Sequence, residues 1–211
     1  MIPIRKVISL LRKQKFNATA LSKRMKEPYK VLISCIISLR TKDKVTEEAS
    51  ERLFGIASTP GAMSRISIRR IEKAIYPAGF YRTKAKQIRQ ISKELCQEHN
   101  SVVPSTIEEL LKFKGVGRKT ANIVVTIGYN KLGIAVDTHV HRISNRIGYV
   151  KTKNPEQTEF ALRQKLPQRY WIEYNDLLVQ FGQNVCLPVS PRCSKCVLNK
   201  LCPKVGVVRH R

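Results

Sequence analysis

The chain has 211 residues, enough for one large domain or two small ones, and 42% of them are apolar. Ten glycines and ten prolines, without low-complexity stretches, exclude a collagen-like or disordered chain. Forty Lys and Arg residues oppose fifteen Asp and Glu residues, which gives a net charge of +25 at pH 7. Because so many like charges repel one another in a compact fold, this charge favours a protein that binds nucleic acid over an unrelated basic enzyme.

The sequence predicts neither a membrane protein nor a secreted one. The longest apolar stretch, Val31–Leu39, has about nine residues, whereas a helix needs about 20 to cross a bilayer. No secretory signal follows Met1, so we expect a cytoplasmic protein. The first 26 residues carry eight basic and no acidic side chains, as a mitochondrial transit peptide would. The apolar residues of Ile4–Leu11 recur at helical spacing, however, and favour a folded, DNA-facing amphipathic helix.

Helical periodicity dominates the chain, and alternation with a period of two over more than four residues is rare. Helices are predicted over Ile4–Leu11, Lys30–Ser38, Asp43–Phe54, Ile66–Ile75, Thr83–His99, two segments of Val103–Gly128, the segment after Asp137 and Glu156–Lys165. Several helices of ten to fifteen residues joined by short turns describe an all-α protein. The segment after Gly182 contains prolines and cysteines and is predicted to be irregular.

The segment Val103–Gly128 predicts a helix-hairpin-helix. Ser105 and Glu108 form an S-x-x-E capping box for its first helix. A tight hairpin follows, formed by Lys114, Gly115, Val116 and Gly117. Its glycines permit positive φ angles and close approach of the backbone. The second helix starts near Arg118, and the amides around its start suit a DNA phosphate. An ordinary turn between helices is the alternative, but the string G-V-G-R-K-T-A favours the phosphate site.

Two charged residues near this segment are candidates for chemistry. Lys119 lies in the first turn of the second helix, where a lysine can contact a phosphate or act as a nucleophile. Asp137 is the first acidic residue after a run from Leu110 that holds five basic ones. Its simplest role is the N-cap of the next helix, which also gives a rigid carboxylate. We discount a metal site at Asp137, His139 and His141, because residues two apart do not share a helical face.

The six cysteines divide into two isolated residues and one cluster. Cys35 and Cys96 lie in apolar helical patterns and are predicted to be small core residues. The other four, Cys186, Cys193, Cys196 and Cys202, have the spacing C-x6-C-x2-C-x5-C. Clustered thiols without a secretory signal indicate a metal rather than disulfides. Four thiolates can hold zinc or a [4Fe–4S] cluster, and a single C-x2-C pair favours the iron–sulfur cluster.

In this order, the hairpin KGVGRKTAN, the segment IAVDTHVHR about twenty residues on and the cysteine quartet resemble the endonuclease III family of helix-hairpin-helix DNA glycosylases. The similarity runs from Ile33 to Cys202. It implies a two-lobed all-α protein with a DNA-binding cleft between the lobes. One lobe, a helical barrel over 25–132, would carry the helix-hairpin-helix at about 105–128. The other lobe, residues 1–24 plus 133–211, would hold a [4Fe–4S] cluster.

The resemblance also implies an activity and its residues. Lys119 takes the place of the family's nucleophilic lysine, Asp137 that of its essential aspartate, and the four clustered cysteines those of the cluster ligands. The implied protein is a bifunctional DNA glycosylase and AP lyase of base excision repair. It would act on double-stranded DNA that contains damaged bases or abasic sites, remove oxidised pyrimidines through a Schiff base, and cut the strand by β-elimination. We expect a monomer associated with the nucleoid of a prokaryote.

Two alternative functions remain open. Monofunctional mismatch glycosylases of the same superfamily share the cluster but generally lack a lysine at the position of Lys119. A non-catalytic DNA-binding protein stabilised by a metal is the second alternative. Pure phosphate binding would have no use for the carboxylate of Asp137, so the pair of residues favours the bifunctional enzyme.

Further DNA contacts are implied at four other places. Arg40 stands where the family often has a glutamine that fills the gap left by the flipped nucleotide. Ala78 and Phe80 match a second DNA-inserting loop, with Phe80 as the wedge. Arg192 and Lys195 lie beside the cysteines and are expected to meet phosphates. Together with the hairpin, the predicted DNA-binding residues are Arg40, Ala78, Phe80, Lys114, Gly115, Val116, Gly117, Arg118, Arg192 and Lys195.

Overall fold

The structure, a computed structural model, describes residues 2–14 and 27–211, and within them it has eleven α-helices and no β-strand. The helices are α1 (Ile4–Arg12), α2 (Pro28–Ser38), α3 (Asp43–Ile56), α4 (Pro60–Arg65), α5 (Ile68–Ile75), α6 (Tyr81–Glu98), α7 (Ile107–Leu110), α8 (Arg118–Ile123), α9 (Thr138–Arg146), α10 (Pro155–Lys165) and α11 (Trp171–Asn184). The all-α fold class is therefore confirmed. In the part of the chain that the structure describes, no helix is long and apolar enough to span a membrane.

The predicted helices are present, and local chemistry shifts their ends. Helix α2 begins at Pro28, because proline at the first helical position loses no hydrogen bond. Helix α10 begins at Pro155 behind Asn154, whose Oδ1 accepts from the backbone N–H of Gln157 at 2.9 Å. Helices α4 and α11 were not predicted. The first has only six residues, and the second mixes polar and apolar residues without a clear stripe.

The predicted capping box before the hairpin is wrong by one residue. Thr106 caps α7: its Oγ1 accepts from the backbone N–H of Glu109 at 3.4 Å and donates to that residue's carboxylate at 2.6 Å. Ser105 does not cap the helix, because its Oγ accepts from the Nζ of Lys131 at 2.6 Å. Two S/T-x-x-E patterns overlap here, and the one that includes Glu108 is not the one used.

The described residues divide into two compact units, one of residues 27–131 and one of residues 2–14 with 132–211. Helix α2 is the centre of the first unit. Every side chain from Val31 to Ile37 is buried, and the helix contacts α3, α6, α8 and a π-helical turn at Val124–Gly128. Such a helix has no polar face, as expected for one surrounded by other helices.

The second unit is built around α9 and α11, with α1 and α10 packed on them. Val7, Ile8 and Leu11 of α1 are at most 2% exposed and lie in a core that includes Tyr174 and Phe181. Burying each aliphatic side chain contributes about 1.5–3 kcal/mol. The predicted amphipathic helix at the N-terminal end therefore docks its apolar face into this core.

The two isolated cysteines both lie in the first unit. Cys35 is 2% exposed, and burial raises the pKa of its thiol to about 12, so it behaves as a small apolar residue. The prediction for Cys35 is confirmed. Cys96 is only half-buried, and its Sγ accepts from the Oγ of Ser101 at 3.5 Å. Cys96 therefore lies at the edge of the core rather than within it.

Candidate DNA interface and metal centre

The hairpin between α7 and α8 requires a glycine at position 115. Gly115 has φ +82°, a left-handed conformation that other residues rarely adopt. A Cβ atom there would lie 2.4 Å from the Nε2 of Gln87, which donates to the carbonyl of Lys114 at 3.0 Å. Gln87 of α6 thus holds the hairpin closed, and sequence reasoning did not find it. Lys114 itself is exposed.

The second half of the hairpin has one buried residue and one open position. Val116 is 6% exposed, and its backbone N–H donates to the carbonyl of Phe113 at 3.0 Å, so its side chain anchors the turn. Gly117, the N-cap of α8, has φ −97°, and a Cβ there would meet no protein atom within 4 Å. Nothing inside the protein requires glycine at this position. The open space lies at the start of a helix, where backbone N–H groups lack acceptors within the helix and attract anions.

Lys119 follows in the first turn of α8. The residues after it, Thr120–Ile123, are all buried against the rest of the unit, so the start of the helix is fixed in place. Lys119 itself is half-buried, and it lies near enough to the buried thiol of Cys35 from α2 to lower the pKa of that thiol, although burial has the larger, opposite effect. Arg118 is also half-buried, and its carbonyl accepts from the Nδ2 of Asn122 at 3.0 Å. The lysine amine is thus carried by a rigid support next to the hairpin.

Arg40 and Phe80, predicted from different segments, lie together. The guanidinium of Arg40 stands 5.4 Å from the centroid of the Phe80 ring. Both residues have positive φ angles, +51° and +58°, and Phe80 is 62% exposed. Ala78 is 1% exposed, so its side chain packs inside the protein and only its backbone could face DNA. An exposed aromatic ring with a cation above it is suited to stacking against bases.

A buried lysine behind these two residues was missed by sequence reasoning. Lys84 of α6 is 4% exposed, and its Nζ donates to the carbonyls of Ile37 and Leu39 at 2.7 and 2.5 Å and to the Oγ1 of Thr41 at 2.9 Å. Burial lowers the pKa of Lys84 to about 8. In the sequence it is one of many basic residues on a helix, and no spacing marks it as buried.

In the second unit, Asp137 is the N-cap of α9, as predicted. Its Oδ1 accepts from the backbone N–H groups of His139 and Val140, both at 2.9 Å. The discounted metal site is not formed by these side chains. The Nδ1 of His139 contacts Arg142 at 3.0 Å, whereas the Nδ1 of His141 contacts the Oγ1 of Thr158 at 2.7 Å. Asp137 is half-buried, and two hydrogen bonds hold its carboxylate in one orientation.

The four clustered cysteines line one cavity with mostly apolar walls, formed by Cys186, Cys193, Cys196, Cys202, Phe181 and Leu198 among others. Two of the sulfurs accept backbone hydrogen bonds, Cys196 from Leu198 and Cys202 from Lys204, each at 3.4 Å. Burial raises the pKa of the Cys196 thiol to about 11 and raises that of Cys202. Among the described residues, no three His, Cys, Asp or Glu side chains surround a single-ion position.

Two arginines of α9 hold the cysteine segment, and neither was predicted. Arg142 donates from Nη2 to the carbonyl of Cys186 at 2.8 Å. Arg146 donates to the carbonyls of Leu187 and Pro188 at 2.6 and 2.7 Å, and to the Sγ of Cys186 at 3.5 Å. Their spacing of four residues places both on one face of the helix, which is the only signal that the sequence offers. The helix capped by Asp137 is therefore tied directly to the cysteine segment.

The last predicted DNA contacts lie on the surface of this segment. Arg192 and Lys195 are both exposed. The Nη1 of Arg192 donates to the carbonyl of Asn184 at 3.3 Å, which leaves its guanidinium at the surface.

Known proteins match both the sequence and the fold. A family model described as "HhH-GPD superfamily base excision DNA repair protein" matches residues 33–168. Endonuclease III of Thermotoga maritima is 47% identical over 176 residues, which is 83% of either chain. Endonuclease III-like protein 1 of Gallus gallus is 46% identical over 178 residues, which is 83% of this chain and 63% of that longer one. A trapped endonuclease III–DNA covalent intermediate superposes with a TM-score of 0.83 at 29% identity over 97% of both chains.

The all-helical fold, the glycine hairpin and the family match define the chain as a helix-hairpin-helix DNA repair enzyme. The chain belongs to the HhH-GPD superfamily of base excision DNA repair proteins, and its predicted resemblance to endonuclease III is confirmed.

Proposed function

We propose that the chain is a bifunctional DNA glycosylase and AP lyase that removes oxidised pyrimidines from double-stranded DNA. The observation that carries this proposal is the position of Lys119, a half-buried amine in the first turn of the helix that leaves the hairpin. A lyase needs an amine that is fixed beside the bound backbone. The similarity to a trapped covalent endonuclease III–DNA intermediate supports the same chemistry.

Lys119 would act as the nucleophile on a nucleotide that is flipped out of the duplex. Its neutral Nζ attacks C1′, the glycosidic bond breaks, and the base leaves with the bonding electrons and takes up a proton. The sugar ring opens, which leaves a protonated Schiff base between Nζ and C1′. This iminium acidifies the proton on C2′, and its removal expels the 3′ phosphate by β-elimination. Water then hydrolyses the Schiff base and releases the enzyme.

Asp137 would supply the carboxylate that this chemistry requires. It would help to take a proton from the attacking amine and would stabilise the positive charge that develops on the sugar. Its two backbone hydrogen bonds support this proposal, because a preorganised charge needs no reorientation as the reaction proceeds.

The predicted DNA-binding residues would contact different parts of the DNA. The hairpin of Lys114, Gly115, Val116 and Gly117, with Arg118, would hold a phosphate through backbone amides and nearby charge. Phe80 and Arg40 would fill the gap that the flipped nucleotide leaves. Arg192 and Lys195 would meet further phosphates, and Ala78 would contribute only its backbone. We infer domain limits near residue 24, which lies outside the described residues, and near residue 132. We also infer a monomer in the cytoplasm of a prokaryote, associated with the nucleoid.

The cysteine quartet would hold a [4Fe–4S] cluster. The donor set fits, because four thiols line one cavity and two of their sulfurs accept backbone hydrogen bonds, which are typical around iron–sulfur clusters. When bound, the cluster supplies structural cross-linking of the segment rather than a redox step. Arg142 and Arg146 would then orient this segment relative to α9. Anaerobic analysis should find iron and sulfide near four each per chain; stoichiometric zinc in a colourless protein would contradict the proposal.

Borohydride trapping tests the activity directly. The wild type should form a covalent adduct with duplexes that carry thymine glycol or an abasic site, and Lys119→Gln should form none while still binding the DNA. Lys112→Gln is the matched control, since it removes an exposed lysine that precedes the hairpin and should keep the adduct. An adduct that persists in Lys119→Gln would show that another amine reacts. Base release without any adduct in the wild type would favour a monofunctional enzyme.

A further inference from the structure

Arg40 and Phe80, the two residues proposed to enter DNA, lie on separate short loops whose backbone conformations must be stabilised by other residues. Arg40 follows the end of α2, and Phe80 precedes α6. Both have left-handed backbone conformations, which cost free energy for residues with a side chain and persist only when their surroundings fix them. Something buried between the loops should therefore hold them.

Lys84 provides this support from the first turn of α6. Its three N–H donors meet three acceptors: the carbonyls of Ile37 and Leu39 and the Oγ1 of Thr41. The two carbonyls lie at the end of α2, where helix carbonyls lack partners within the helix and carry partial negative charge. The ammonium group is thus satisfied in the interior, and it fixes the turn on which Arg40 lies.

Thr41 extends the same network to the second loop. Its Oγ1 also accepts from the backbone N–H of Gly79 at 3.1 Å, directly before Phe80. The loops touch closely at this point, because a Cβ atom at Gly79 would lie 2.5 Å from the carbonyl oxygen of Arg40. Lys84, Thr41 and Gly79 therefore connect both loops through one buried chain of hydrogen bonds.

We propose that Lys84 is a positioning residue for base extrusion, whose buried contacts hold Arg40 and Phe80 together as a single inserting element. This inference rests on the proposed function. Lys84 itself touches no DNA. It acts by keeping the ring of Phe80 and the guanidinium of Arg40 presented to the duplex at fixed positions, so that neither loop has to be ordered when DNA binds.

Lys84→Met tests the proposal, since methionine is unbranched and only one atom shorter than lysine, and it removes all three donors. Extrusion is required to release a paired base, whereas an abasic site has no base to release. Single-turnover base release from thymine glycol should therefore slow by about 10- to 100-fold, as expected for a misplaced positioning group. Strand cleavage at a preformed abasic site should change by less than about threefold, so the ratio of the two rates is the readout.

Tyr29→Phe is the matched control, because it breaks another buried hydrogen bond of the same unit, between Tyr29 Oη and Ser92 Oγ at 2.7 Å. It should leave the ratio unchanged. In a Phe80→Ala background, Lys84→Met should slow base release by less than about threefold, since residues that act through one another are not additive. Thr41→Val breaks the same network at its second member and should lower the ratio in the same direction, so the proposal can be tested even if Lys84→Met fails to fold.

Fluorescence of 2-aminopurine opposite a non-cleavable abasic analogue reports insertion without catalysis. The wild type should raise this fluorescence on binding, and Lys84→Met should raise it by less than half as much. Equal effects of Lys84→Met on both reactions, full additivity with Phe80→Ala, or an unchanged fluorescence rise would overturn the proposal. Absence of base release and of trapping in the wild type would instead contradict the proposed function, and the fluorescence would still decide the role of Lys84.

Discussion

Asp137 combines a structural role with a proposed chemical one, and substitutions can separate them. In the structure its Oδ1 alone accepts both capping hydrogen bonds, from His139 and Val140. Asparagine keeps an equivalent carbonyl oxygen and loses only the negative charge. Alanine loses both the oxygen and the charge. The pair Asp137→Asn and Asp137→Ala therefore distinguishes the cap from the carboxylate.

Loss of the cap should lower the stability of the protein, whereas loss of the charge should lower the rate of base release. Removing an N-cap costs about 1 kcal/mol (range about 0.5–2), which lowers Tm by about 2–4 °C in a chain of this size. Asp137→Asn should cost less than about 0.5 kcal/mol, because asparagine caps as well as aspartate. Losing one preorganised charge costs about 10²–10³ in rate. Asp137→Asn should therefore keep its fold and DNA affinity and lose base excision.

Thermal unfolding, equilibrium DNA binding and single-turnover base release measure the three quantities on the same preparations. DNA binding should be at least as tight as that of the wild type in both variants, since each removes an anion from a strongly basic protein. Base release within about threefold of wild type in Asp137→Asn would refute the proposed role, because that change is far below the electrostatic effect. Loss of fold in Asp137→Asn would show that the capping hydrogen bonds need the charge.

Three further predictions concern the hairpin, the basic surface and the cysteines. Gly117→Ala should change the free energy of unfolding by less than about 1 kcal/mol and weaken DNA binding at least tenfold. The control Gly61→Ala, which also has open space around its Cβ, should change neither quantity. Equal DNA affinities of Gly117→Ala and the wild type would contradict phosphate binding at the hairpin. Lys114→Gln and Arg192→Gln should each reduce the slope of log K against log salt by about 0.9, measured by fluorescence anisotropy, without altering the preferred lesion. Cys193→Ser should lower Tm by about 5–10 °C and reduce DNA affinity, as followed by thermal melting and iron content; an unchanged Tm would indicate that no metal stabilises the segment.

The sequence was sufficient to predict the structural features that depend on a local residue pattern. Apolar residues at helical spacing identified most helices, and the preference of aspartate for helix starts identified Asp137 as a cap. Overlapping patterns were harder, as the capping box showed, because the choice between Ser105 and Thr106 depends on a distant partner, Lys131. Local propensity does not contain that information.

Residues whose role depends on distant contacts could not be predicted. Lys84 and Arg146 look like ordinary basic residues of amphipathic helices, yet each ends among backbone carbonyls of a segment more than 40 positions away. Gln87 gives no signal at all, although it closes the hairpin through the carbonyl of Lys114. These side chains satisfy carbonyls in irregular segments, and only tertiary structure shows which carbonyls need a donor.

During synthesis, α1 is made long before the other helices of the unit to which it belongs. Val7, Ile8 and Leu11 belong to a core whose other members come from residues 134–198. At about 5–20 residues per second, the ribosome takes roughly ten to thirty seconds after α1 to complete α11. During that interval residues 27–131 can already form a compact unit, whereas the apolar face of α1 has no native partner. Newly made chains should therefore be most prone to chaperone binding and aggregation through this first helix.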